Sequence, residues 1–171
     1  MTDWKIERLA DHHDRSGFDC GKPPLNDWLI RFAGQYERRG LARTYVLLRP
    51  GDNRALGYYA LSNRHVDFVN LPPQKRKGLP SSLPIPTALI GRLAVDRVLQ
   101  GQGLGDVLLV HALRRVLTLS EEIGIVAVLV EAIDDQARDF YLHRNFEPLT
   151  DNPRRLFVLV DHLRRSGLEP L

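Results

Sequence analysis

Leu25, Trp28, Leu29 and Phe32 recur at helical spacing within Leu25-Asn-Asp-Trp-Leu-Ile-Arg-Phe-Ala33, which predicts an amphipathic helix after the turn-like stretch Ser16 to Pro24. Ile6 to Leu9 reads as a short first strand. Arg43 to Leu48 and Ala55 to Leu61 are rich in β-formers and flank Pro50-Gly-Asp-Asn, the pattern of a hairpin. Pro72, Pro73, Pro80, Pro84 and Pro86 then interrupt residues 64–86 and predict a long loop with a basic knot at Gln74 to Gly78. Thr87 to Val95 returns as an apolar strand. From Gly103 to about Leu119 the polar positions His111, Arg114, Arg115, Thr118 and Glu121 share one stripe, so the remaining faces of a helix pack on a sheet. Ile125 to Val130 is a nearly continuous apolar run, as in a strand covered on both faces. Asp134 is placed to cap a helix carrying Ala137, Phe140 and Tyr141, and Asn145 suits its left-handed stop. Leu156 to Val160 is a last strand. The expected order is β-α-β-β-β-α-β-α-β-β, an α/β fold on a central mixed sheet.

At 171 residues the chain fits one compact domain, read here as spanning 1–171. No apolar run reaches the length of a membrane span, and the first fifteen residues are too polar for a secretory signal, so the cytoplasm is the expected compartment. The lone Cys20 removes a disulfide framework and a cysteine-based zinc cluster, and no metal is expected. Charge is uneven. Residues 31–100 hold 12 Lys or Arg against 4 acids, and the rest holds 12 against 17. Arginine outnumbers lysine 20 to 4, which suits a polyanionic partner. A GC-rich coding bias with solvated side chains explains the same counts, so composition leaves both open.

The chemistry concentrates in Gly91-Arg-Leu-Ala-Val-Asp-Arg-Val-Leu-Gln-Gly-Gln-Gly-Leu-Gly-Asp106. A strand ends near Val95, and glycines at 101, 103 and 105 open a helix. Backbone N–H groups at a helix mouth, joined to the positive end of its dipole, cradle a phosphate or pyrophosphate. A P-loop would need Lys-Ser/Thr after its glycine, where Asp106 stands, and the dinucleotide spacing G-x-G-x-x-G fails from both Gly101 and Gly103.

What fits is Q-x-x-G-x-G, at Gln100, Gly103 and Gly105, which resembles the acyl-coenzyme A signature of the GCN5-related N-acetyltransferases. The likeness extends to the acetyltransferase toxins of bacterial toxin–antitoxin pairs. It is carried by Phe18-Asp-Cys-Gly21 with Leu25 to Leu29, Ala42 to Val46, Gly57 to Ser62, Gly91 to Asp96, and Phe140-Tyr141 before Phe146. Asn145 stands where the family usually has Gly, and Ala60 where Thr or Ser is common. The resemblance implies a central mixed, mostly antiparallel sheet with helices on both faces. It implies acetyl-CoA held by Gln100, Gly101, Gln102, Gly103, Leu104, Gly105 and Asp106. Leu93, Ala94 and Val95 would lie along the pantetheine arm, and Asp134, Ala137 and Phe140 on the other wall. Tyr141 matches the family's general acid, since a phenol of pKa about 10 stays protonated at neutral pH. Glu131 and Asp96 are the nearest carboxylates by motif, but each reads better as a structural hydrogen-bonding partner than as a base.

The substrate the resemblance implies is the α-amine of aminoacyl-tRNA, whose acetylation blocks translation. Arg31, Arg38, Arg39, Arg43, Lys75, Arg76 and Lys77 are the candidate RNA contacts. The same family implies a ribbon-helix-helix antitoxin, DNA contact through that partner only, and a homodimer. An acetyltransferase acting on a small-molecule or protein amine, or a domain that binds acyl-CoA or RNA without turnover, remains an alternative.

Overall fold

The computed structural model describes residues 3–171. The elements run β1 (Lys5–Arg8), α1 (Pro23–Asp27), a π-helical turn (Trp28–Phe32), α2 (Ala33–Arg39), β2 (Arg43–Leu48) and β3 (Gly57–Val66). They continue with β4 (Ile85–Val95), α3 (Leu104–Ser120), β5 (Ala127–Glu131), α4 (Asp135–Leu142), β6 (Glu147–Pro148), β7 (Arg155–Leu159) and α5 (Val160–Arg165). The seven strands form one mixed sheet in the order β1-β2-β3-β4-β5-β7-β6, with β4 and β5 parallel. The alternation of strands and helices follows the expected order, with one helix more at the end. The chain divides into two compact units, residues 1–62 with 91–112 and residues 63–90 with 113–171.

In the first unit β2 pairs antiparallel with both β1 and β3, so Val46 and Leu48 share a face with Tyr58 and Ala60. That face receives Trp28, Leu29 and Ala33 of the helical segment, with Phe18 and Cys20 closing one end. Phe32, expected in this core, is 45% exposed while Ala33 is 0% exposed. The π-turn is the reason: a wider turn shifts every following residue around the axis, so Ala33 replaces Phe32 against the sheet. The helix also runs past Ala33 to Arg39, where Gly40 at φ 70° ends it. On the opposite face Gly57 admits α3: a Cβ there would lie 3.2 Å from Leu108 Cδ1 and 3.1 Å from the Ala94 carbonyl. Two turns into α3, the His111 ring nitrogen Nδ1 shares a 2.7 Å hydrogen bond with the buried Tyr59 hydroxyl.

The second unit packs Val66, Leu71, Ile85, Leu89, Ala127, Leu129, Leu149 and Phe157 together. The 64–86 loop is shorter than expected. Residues 64–66 extend β3 and Ile85 and Pro86 begin β4, because proline loses only its N–H: the Pro86 carbonyl still accepts from the Val126 amide at 2.9 Å. Between them two short 3₁₀ turns, Phe68–Asn70 and Pro73–Lys75, bury Leu71 and give the segment a defined path. Leu156 to Val160 divides into β7 and the start of α5, whose Val160 and Leu163 are buried. The residues after α5 lie on α3, with Arg114 donating to the Glu169 and Pro170 carbonyls. Among the described residues no helix is long and apolar enough to cross a membrane.

Candidate active site

The glycine turn of the first unit is built from its flanks. Asp96, 4% exposed, caps a 3₁₀ turn by accepting from the Val98 amide at 3.1 Å, and it also accepts from the Asp19 amide at 3.2 Å. It thereby ties the 3₁₀ turn to the backbone before α1. Gln100 donates its side-chain N–H groups to the Cys20 and Val95 carbonyls, both at 2.9 Å. The first letter of the motif thus ties the turn to the end of β4 and to the segment before α1. Gly101 (φ 83°) and Gly103 (φ 78°) are left-handed. A Cβ at either would meet nothing within 4 Å, so the requirement is the backbone conformation and the space beside the turn is open.

Leu104 then starts α3, buried beneath the turn, while Gln102 and Gly103 are exposed at its mouth. First-turn amides of a helix have no intrahelical acceptor. Gly105 and Asp106 lie in that first turn, the latter an acid placed on the positive end of the dipole. Leu93 to Val95 lie beyond the last β4–β5 pair, Ile90 with Val130. An open left-handed turn feeding a 17-residue helix suits a diphosphate.

In the second unit Asp134 caps α4 as expected, accepting from the Ala137 amide at 2.9 Å. The helix presents Tyr141, 5% exposed, between Phe140 and Phe146, each with its ring centroid 5.3 Å away. Asn145 ends the helix at φ 68°, the left-handed conformation read from its sequence, and the Phe146 amide folds back to the Tyr141 carbonyl. Burial pushes the Tyr141 phenol well above its ordinary pKa, so it stays protonated throughout the neutral range. Phe140 is half-buried, with the Arg144 guanidinium 3.7 Å from its ring centroid. Glu131 ends β5 exposed.

The basic candidates separate by partner. Arg31, Arg38, Arg39 and Lys77 are exposed. Arg43 is tied to Glu37 at 3.1 Å, which also holds Arg8 at 2.9 Å. Burial pushes the Glu37 carboxyl up, but Arg8, the Thr44 amide and Arg43 together hold it below the ordinary range. Lys75 lies 3.8 Å from Glu147. Arg76 donates to the Leu71 and Val69 carbonyls and covers Phe68, so it organises its own loop. Arg15, half-buried in the turn before α1, has no periodicity or motif to mark it.

Residues 8–146 match the model of the acetyltransferase (GNAT) family, and the chain belongs to that family. It is similar to the tRNA-acetylating toxin of Mycobacterium tuberculosis (strain ATCC 25618 / H37Rv), 38% identical over 157 residues that cover 92% of each chain. It is also similar to AtaT complexed with acetyl-methionyl-tRNAfMet, with a TM-score of 0.89 and 35% identity over 96% of this chain and 99% of that one. A Tyr-to-Phe mutant of AtaT bound to acetyl-CoA and to the C-terminus of the antitoxin AtaR gives a TM-score of 0.81 and 32% identity, covering 96% and 97%.

Proposed function

We propose that this chain is an acetyl-CoA-dependent N-acetyltransferase that acetylates the α-amine of aminoacyl-tRNA in the cytoplasm and so stops translation until an antitoxin neutralises it. The observation that carries this reading is the open left-handed turn at Gly101 and Gly103 feeding α3, in a chain 38% identical to a tRNA-acetylating toxin.

Acetyl-CoA supplies an activated acyl group as a thioester. The turn amides and the N-terminus of α3 would hold its diphosphate, and the backbone of Leu93, Ala94 and Val95 its pantetheine arm. An amide there would polarise the carbonyl oxygen. As the amine nitrogen bonds the acyl carbon and the C–S bond breaks, Tyr141, which keeps its proton at neutral pH, would give it to the departing sulfur, and the nitrogen would release one of its own protons to restore the phenol. No carboxylate is required as a base, because an α-amine with a pKa of about 8 is already partly neutral at pH 7 and an ester beside it withdraws further electron density. Arg31, Arg38, Arg39 and Lys77 would receive RNA phosphates directly, and Arg43, Lys75 and Arg76, which also have partners within the chain, would complete the basic surface.

The test is growth on induced expression beside in vitro acetyl transfer, wild type against Tyr141→Phe. Growth arrest and acetylated aminoacyl-tRNA with wild type alone support the reading. Transfer to a small amine or a protein, with aminoacyl-tRNA untouched, replaces it.

A further inference from the structure

Across the π-turn, Arg15 Nη1 donates to the Leu29 carbonyl at 2.9 Å, which fixes a half-buried guanidinium against the helical segment. One turn on stands Gly34. A Cβ at Gly34 would lie 3.4 Å from Arg15 Nη2, 3.5 Å from Arg15 Nη1 and 3.4 Å from Arg38 Nη1. Two guanidiniums therefore converge over the one Cα in α2 that carries no side chain. Both guanidiniums thus reach the same point above Gly34. Among the described residues neither has a carboxylate partner, in contrast to Arg8 and Arg43, which share Glu37.

An oxyanion resting over Gly34 would meet N–H donors from both guanidiniums. The tether at Leu29 means that much of the ordering cost of Arg15 is met in the free protein. From this arrangement we infer that Arg15 and Arg38 form a clamp for a single phosphate of the RNA backbone, with Gly34 as its floor. Two planar forks offer paired N–H donors to a tetrahedral oxyanion, a geometry that lysine does not reproduce. Arg31 and Arg39, exposed on the same helical segment and, among the described residues, without carboxylate partners, add to its positive charge. That charge suits a polymer of phosphates more than one small anion. The inference rests on the aminoacyl-tRNA reading, for which it names the point at which the RNA is held.

The experiment compares wild type, Arg38→Gln and Arg15→Gln in steady-state acetylation of aminoacyl-tRNA and in binding of deacylated tRNA over a salt series. Calorimetry with acetyl-CoA serves as the folding control. The clamp predicts a roughly tenfold rise in KM for Arg38→Gln with kcat and acetyl-CoA affinity unchanged. It also predicts a salt slope shallower by about one phosphate contact. Arg15→Gln gives the same pattern if it folds; if it does not, Arg38→Gln decides alone. Unchanged KM and salt slope in Arg38→Gln overturn the clamp. So does an unchanged RNA response accompanied by lost affinity for an acidic antitoxin peptide, which would assign the pair to that partner. If wild type fails to acetylate aminoacyl-tRNA, the functional reading falls, while the deacylated-tRNA salt series still scores the clamp.

Discussion

Gln100 donates its side-chain amide to the Val95 carbonyl at 2.9 Å, so the residue that heads the glycine turn is fastened to the last residue of β4. A second N–H of the same group reaches the Cys20 carbonyl. Replacing Gln100 with Glu removes both donors and sets a carboxylate against two carbonyl oxygens. The expected result is a folded protein whose acetyl-CoA affinity falls by at least tenfold, read by calorimetry, because each lost bond is worth about 1 kcal/mol and the remaining contacts repel.

Gly103 tests the turn by another route. Its φ of 78° is costly for any residue with a Cβ, although the space beside it is empty. Gly103→Ala should lower stability or shift the turn at a cost of roughly 1–2 kcal/mol and weaken acetyl-CoA binding, while Gly105→Ala, inside α3, should do less to the backbone. Thermal melting with and without acetyl-CoA separates the two effects.

Tyr141→Phe keeps the ring between Phe140 and Phe146 and deletes only the hydroxyl. Expected are wild-type melting, wild-type acetyl-CoA affinity and a loss of turnover of about 100-fold or more. Because burial raises the phenol, its ionisation should not limit the wild-type rate as the pH rises from 7 to 9; the rate should instead climb as the acceptor amine loses its proton. A rate that falls across this range would remove Tyr141 as the acid.

The cap of α4 matters to the same side chain. Asp134→Ala leaves the Ala137 amide without its acceptor and should cost about 0.5–2 kcal/mol, measured by urea unfolding.

His13 gives the fold a dependence on acidity. Its side chain is buried, and Nδ1 accepts from the Ala10 amide at 2.9 Å, an arrangement that needs the neutral ring. Burial holds its pKa below 6.5, so the unfolded chain binds a proton that the folded chain refuses. The stability this provides is complete above pH 6.5 and is lost as the pH falls from there toward the folded pKa. Urea midpoints should drop between pH 7.5 and 5.5, and His13→Gln should flatten that drop.

Elements with a strong local signal were legible in the chain. The hairpin of β2 and β3, the capping Asp134, the left-handed Asn145 and the glycine turn each follow from residue chemistry within a few positions. The π-turn was not, since Leu25, Trp28, Leu29 and Phe32 fit an ordinary helix equally well. Nor was α5, because Val160 and Leu163 are too few to declare a period. The partners of charged residues depend on tertiary placement. Glu37 pairs with Arg43 and Arg8 across 6 and 29 residues, and Arg76 turns inward to its own loop. Arg15, fixed by a carbonyl 14 residues away, has no mark in the sequence at all.

The most direct measurement supplies purified protein with labelled acetyl-CoA and a pool of aminoacyl-tRNAs, then identifies the labelled product by mass spectrometry. The account predicts an acetyl group on the α-nitrogen of an esterified amino acid, absent with Tyr141→Phe. Label appearing only on free amines or on protein, or none at all with acetyl-CoA demonstrably bound, would contradict it.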